Sequence, residues 1–99
     1  MTNKKITWSK VAAKQFEAGI RYIAADSIQN AEKVRNEILE KVEKLILHPE
    51  VYSLDKYKTN NDGSYRAFEL HRYRVAYRVL ENEIFILRVR HTSREPKKY

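Results

Sequence analysis

The hydrophobic positions change period partway along the chain. Ala12, Phe16, Ile20 and Ile23 recur at intervals of three and four, which predicts an amphipathic helix over residues 10–25. Ser9 is placed to cap it, with Trp8 positioned to staple back onto the first turn. Gly19 weakens this helix slightly or marks a close approach by another element. Asp26-Ser27 interrupts the pattern, and Ser27 can cap a second helix. Ile28, Ala31, Val34, Ile38, Val42 and Leu45 mark the apolar face of that helix, and Glu, Lys and Arg fill the other. It is expected to stop at His48-Pro49, because proline disfavours helical geometry in the residue before it. A connection of only one or two residues makes the pair an antiparallel hairpin. Ahead of it, Lys5 to Trp8 reads as a short strand.

After a polar connection over residues 50–64, with a strong turn signal at Asn60-Asn61-Asp62-Gly63, the period drops to two. Three strands are expected, and the requirement that their apolar faces meet the helices sets the register. A two-residue turn at His71-Arg72 places Leu70 opposite Tyr73 and Glu69 opposite Arg74. A three-residue loop at Glu81-Asn82-Glu83 places Val79 opposite Phe85 and Arg74 opposite Arg90. Phe85, Leu87 and Val89 then face the helices, while Arg72, Arg74, Arg78, Arg88 and Arg90 share the opposite face. Arginines directly across a strand pair destabilise a sheet by a few tenths to about 1 kcal/mol. Glu69 offsets part of that repulsion, and the remaining conflict marks this face as functional.

The predicted architecture is therefore α+β: an N-terminal strand, an antiparallel helical hairpin, then a three-stranded antiparallel meander. Ninety-nine residues form a single domain, 1–99, with a modest core. Apolar residues at 42% with 33% charged exclude a disordered chain. No cysteine is present, which rules out thiolate metal sites and disulfides and fits a reducing compartment. The start, MTNKKITW, lacks the apolar segment of a signal peptide, and no run reaches membrane-spanning length. A cytoplasmic location without membrane association is expected. The net charge of +7 favours a polyanionic partner, either nucleic acid or a strongly acidic protein.

Residues 65–94 contain seven arginines and no lysine, whereas elsewhere lysine dominates and only Arg21 and Arg35 are arginine. Arginine offers a planar fork matched to phosphate or carboxylate. Each one alone could equally lie flat on a solvated sheet face. Three scattered histidines without cysteine give no metal-ligand spacing, so neither metal nor other cofactor is expected. The only glycines, Gly19 and Gly63, form no phosphate-binding loop, and the motifs of KH, RRM and double-stranded-RNA-binding modules are absent.

Tyr73-Arg74-Val75-Ala76-Tyr77, followed by an apolar strand ending Val89-Arg90-His91-Thr92-Ser93-Arg94-Glu95-Pro96, resembles the RelE/ParE superfamily of type II toxin–antitoxin toxins. The order of elements matches that fold too. The resemblance implies growth inhibition, a role in plasmid stabilisation, and neutralisation by a cognate acidic antitoxin that folds as it binds. One branch cuts mRNA on the ribosome as a metal-independent endoribonuclease, and the other inhibits DNA gyrase. In the first, Arg74 matches the phosphate-binding arginine, Arg94 a further arginine after the last strand, and Tyr99 a tail tyrosine that stacks on the base or assists proton transfer. Glu69, Arg74 and His91 could form a Glu/Arg/His set, although Ala67 and Glu69 stand where some members carry a lysine pair. V-x-H-x-x-R-x-P is nearer to the gyrase-type branch, in which Arg74 and His91 have no catalytic role.

His91 has a pKa range suited to proton transfer, but by parity it follows Val89 toward the helices and fits a capping role better. Arg72, Arg78, Arg88 and Arg90 would contact the target or nucleic acid. Whether the chain is an enzyme stays open between the two branches. The alternative is a non-toxic basic nucleic-acid-binding module.

Overall fold

In a computed structural model, residues 4–94 and 97–99 are described. The architecture is the expected one. Strand β1 (Lys5–Trp8) is followed by helices α1 (Lys10–Ala24) and α2 (Ile28–Glu43), then strands β2 (Tyr65–Leu70), β3 (Tyr73–Val79) and β4 (Glu83–His91). The Ser9 and Ser27 hydroxyls accept from the amides of Ala12 and Asn30, so both predicted caps form. A three-residue connection folds α2 back along α1. Arg35 meets Glu17 at 2.9 Å, each lying seven residues from its end of the turn, as an antiparallel pair requires.

Helix α2 ends earlier than expected. Its last turn tightens into a 3-10 segment, Lys44–Ile46, ahead of the restricted His48-Pro49 pair. Ala31, Val34, Ile38, Val42 and Leu45 are buried as expected, but Ile28 is 70% exposed because it sits at the hairpin bend.

The sheet order is β1-β4-β3-β2, with β1 parallel to β4 and the other pairs antiparallel. The β2–β3 register is the predicted one, with Glu69 opposite Arg74 and Leu70 opposite Tyr73. His71 and Arg72 both have positive φ, as a tight primed hairpin turn demands. Arg72 therefore belongs to the turn and is exposed, rather than sharing the sheet face with Arg74.

The β3–β4 register is half as expected. Arg74 does pair with Arg90, but Val79 pairs with Ile84 instead of Phe85. The ladder runs from Ala76–Arg88 to Tyr77–Ile86, which leaves Leu87 as an extra residue. A bulge reverses side-chain parity along its strand. Ile84 and Ile86 are consequently fully buried beneath the helices, Phe85 lies on the opposite face, and Val89 rejoins the core beyond the bulge. The core joins Ala12, Phe16, Val34, Ile38 and Leu45 to Phe68, Val75, Tyr77, Ile84 and Ile86. Among the described residues, no helix is long and apolar enough to cross a membrane.

Gly19 marks a close approach. A Cβ there would lie 2.9 Å from Cε1 of Tyr73, so the helix rests directly on that ring.

Candidate functional site

Pairing Arg74 with Arg90 creates the electrostatic conflict anticipated from the sequence, and a residue not anticipated resolves much of it. Residues 53–55 run along the outer edge of β2, where the Asp55 amide donates to the Tyr65 carbonyl and Leu54 bridges Arg66. This sets Asp55 beneath the sheet face, with its side chain fully buried. Its Oδ1 accepts from Arg74 at 2.9 Å and from the Tyr57 amide at 3.0 Å, while its Oδ2 accepts from the Tyr99 hydroxyl at 2.6 Å. Arg74 also donates to Glu69 at 2.9 Å, and its guanidinium lies over the Tyr57 ring at 4.8 Å. Its side chain is only 17% exposed. The positive charge of Arg74 is thus shared between two carboxylates of its own chain.

Burial alone would raise the Asp55 carboxyl pKa. The Tyr99 hydroxyl, the Arg74 guanidinium and the Tyr57 amide outweigh it and hold the group below the usual carboxylate range. Burial pushes the Tyr99 hydroxyl up, and donation to Asp55 pushes it further, so it stays protonated at neutral pH. For Arg74, burial pulls down but the two carboxylates win, leaving it raised and permanently charged.

The end of the chain is part of the same network. The Tyr99 amide donates to the Tyr57 carbonyl at 2.9 Å, and its carbonyl accepts from the Thr59 amide. Arg88 packs over the Tyr99 ring at 4.1 Å and donates to the Lys97 carbonyl at 2.8 Å. Arg78 is also engaged, bonding to Ser64 and Asp62 and lying 4.8 Å over Tyr65. His91 packs edge-on against Tyr73, and its Nδ1 accepts from the Ser93 amide at 3.0 Å, which closes the turn after β4.

The nine sequence-derived residues therefore separate. Glu69, Arg74, Arg88, Arg90, His91 and Arg94 surround one depression of about 50 Å³, together with Tyr57, Thr92 and Lys97. Tyr99 lies under its edge through Arg88, whereas Arg72 and Arg78 stand apart from it. Among the described residues, the side chains of Arg90, Arg94 and Lys97 have no hydrogen-bonding or ion-pair partner, and these form the open cationic rim of the depression; Arg72 is likewise unpartnered but lies away from it, in the β2–β3 turn. The Glu95-Pro96 part of the terminal motif lies outside the described residues. Nor do any three acidic or histidine side chains among those described come together as metal ligands would.

Sequence reading missed Asp55 and Tyr57. Both sit in a polar connection where nothing periodic singles them out. The only available signal was the unbalanced Arg74–Arg90 pair, which required a further carboxylate.

The family model for the ParE toxin of type II toxin–antitoxin systems matches residues 6–96. The chain belongs to this toxin family. No curated protein matches it. Among solved structures, the toxin resembles the chromosomal ParDE system of P. aeruginosa, at 22% identity and a TM-score of 0.69 over 89% of this chain and 95% of that one. It is also similar to the YoeB dimer of Staphylococcus aureus, at 22% identity and a TM-score of 0.60 over 91% and 98% of the two chains. The RelBE2 toxin–antitoxin complex of Mycobacterium tuberculosis aligns at 17% identity and a TM-score of 0.51, over 91% and 99%. At such identities the likeness concerns the fold the toxin shares with them.

Proposed function

We propose that this toxin arrests growth in the cytoplasm by binding a target protein, DNA gyrase, and does not cut RNA. One observation carries the reading: Arg74 is held by both Asp55 and Glu69. An arginine that grips a scissile phosphate must be open to it. Here an incoming phosphate would meet a fixed, buried carboxylate on the same guanidinium. Drawing Arg74 away would leave Asp55 with only the Tyr57 amide and the Tyr99 hydroxyl, a buried carboxylate without its counter-charge, which is unfavourable.

The other nuclease candidates lead the same way. The Tyr99 hydroxyl is committed to Asp55, and its raised pKa unfits it for proton transfer at neutral pH. Nδ1 of His91 is engaged by the turn, which leaves only Nε2 of that ring for any proton transfer. The surface left for a partner is the open rim of Arg90, Arg94 and Lys97, matched to carboxylates or phosphates. Neutralisation falls to an acidic antitoxin, consistent with the net charge of +7 and with relatives found in ParDE and RelBE2 systems.

A second reading, ribosome-dependent RNA cleavage, draws support from the convergence of Glu69, Arg74, Arg90, His91 and Arg94 on one depression. Growth arrest with blocked supercoiling and intact transcripts supports the gyrase reading. Arrest with new transcript ends and normal supercoiling supports cleavage. No arrest at all favours the non-toxic basic module.

A further inference from the structure

The buried Asp55 carboxylate does more than balance Arg74. From it runs a chain of contacts to the end of the molecule: Asp55 to the Tyr99 hydroxyl, the Tyr99 ring to Arg88, and Arg88 to the Lys97 carbonyl. Two backbone bonds, between Tyr99 and residues 57 and 59, fix the tail alongside the loop that carries Asp55. These contacts dock residues 97–99, and the docking sets Lys97 on the same depression as Arg90 and Arg94. Among the described residues, the side chains of these three cations have no partner within the chain. The one carboxylate on the depression, Glu69, is engaged by Arg74, so the three cations gather without a paired counter-charge of their own, and an acidic surface would relieve them.

We infer that Asp55 is a positioning residue, clasping the C-terminal tail through Tyr99 and so completing a composite cationic site of Arg90, Arg94 and Lys97 for acidic side chains on the toxin's target. The inference rests on the toxin reading above, but not on gyrase being that target.

Three variants test it, each scored by amide hydrogen exchange and by the expression level needed to arrest growth. Tyr99→Ala removes both the hydroxyl and the ring beneath Arg88. Exchange at the Thr59 amide should accelerate at least about tenfold, since a hydrogen bond to a charged group is lost. The core amide of Val75 should keep its protection, and potency should fall by about the same factor. Tyr99→Phe retains the ring and should fall between wild type and Tyr99→Ala on both scales. Lys97→Glu should leave Thr59 exchange unchanged and still cut potency about tenfold, which separates the charge of the site from the clasp that builds it.

Fast Thr59 exchange in Tyr99→Ala with wild-type potency would overturn the inference, as would unchanged exchange or a fully potent Lys97→Glu. If Tyr99→Ala loses Val75 protection, Tyr99→Phe and Lys97→Glu decide the question. Arrest by the wild type with gyrase unaffected would remove the gyrase reading and leave the clasp to be judged on arrest alone.

Discussion

Replacing Asp55 by alanine should strongly destabilise this toxin. The side chain is fully buried, and the substitution leaves the Tyr99 hydroxyl and the Tyr57 amide without their acceptor. Arg74 keeps only Glu69 while remaining mostly covered. Removing one member of a buried pair costs about 3–5 kcal/mol, because the partner charge is left uncompensated. The surviving Glu69 contact places the expected loss near the lower end, at about 3 kcal/mol. For a domain of this size each kcal/mol is worth about 4–8 °C, so the melting temperature should fall by roughly 12–24 °C. Urea titration followed by fluorescence of Trp8, the single tryptophan, which packs 5.3 Å from Phe16, reads the change directly. A double variant isolates the coupling between the two side chains. Asp55→Ala combined with Arg74→Met removes the stranded charge and should recover at least about 1 kcal/mol relative to additive losses. A loss below about 1 kcal/mol for Asp55→Ala, or strict additivity in the cycle, would refute the claim that Asp55 and Arg74 form a coupled buried pair.

Gly19→Ala should destabilise by about 1–3 kcal/mol, because a Cβ 2.9 Å from the Tyr73 ring overpacks the helix–sheet contact by more than improved helix propensity returns; thermal melts check this. The Asp55 carboxyl is depressed in the fold, so its contribution is complete above its unfolded pKa of about 3.9 and is lost as pH falls through the lower folded value. Asp55→Asn should accordingly flatten the acid limb of the stability–pH curve below about pH 4. Tyr99 has the opposite sign: its folded pKa is raised, so its stabilisation is complete below about pH 10 and lost as pH climbs through the folded value. The stability difference between wild type and Tyr99→Phe should therefore shrink in alkali. Tyr77, pushed up to about 12 by burial and donating to the Pro49 carbonyl, should titrate only late in a spectrophotometric scan.

What the sequence disclosed, and what it withheld, follows from the range of the interactions involved. Helix caps at Ser9 and Ser27 and the two-residue turn at His71-Arg72 depend on neighbours within a few residues, and they were legible. The first half of β4 was misread because a bulge leaves no periodic trace until its partner strand is known. Phe85, Leu87 and Val89 alternate as well as Ile84 and Ile86 do, and only the extra residue at Leu87 selects Ile84 and Ile86 for the core. In the predicted register a one-residue error at the turn and the missing bulge cancelled, so Arg74 still met Arg90. Asp55 was invisible for a different reason. Its burial depends on a loop folding over the edge of β2 and on a tail that returns 44 residues later to meet it. A polar connection rich in Asp, Asn and Lys reads as solvated until those partners arrive.

Everything proposed for the target turns on whether the guarded Arg74 excludes phosphate chemistry. The most direct test incubates the purified toxin with gyrase and relaxed plasmid, and in parallel with translating ribosomes and message. The guarded arginine predicts lost supercoiling activity with message left whole. Message cut at defined positions, with that cutting abolished by Arg74→Ala and supercoiling untouched, would contradict it.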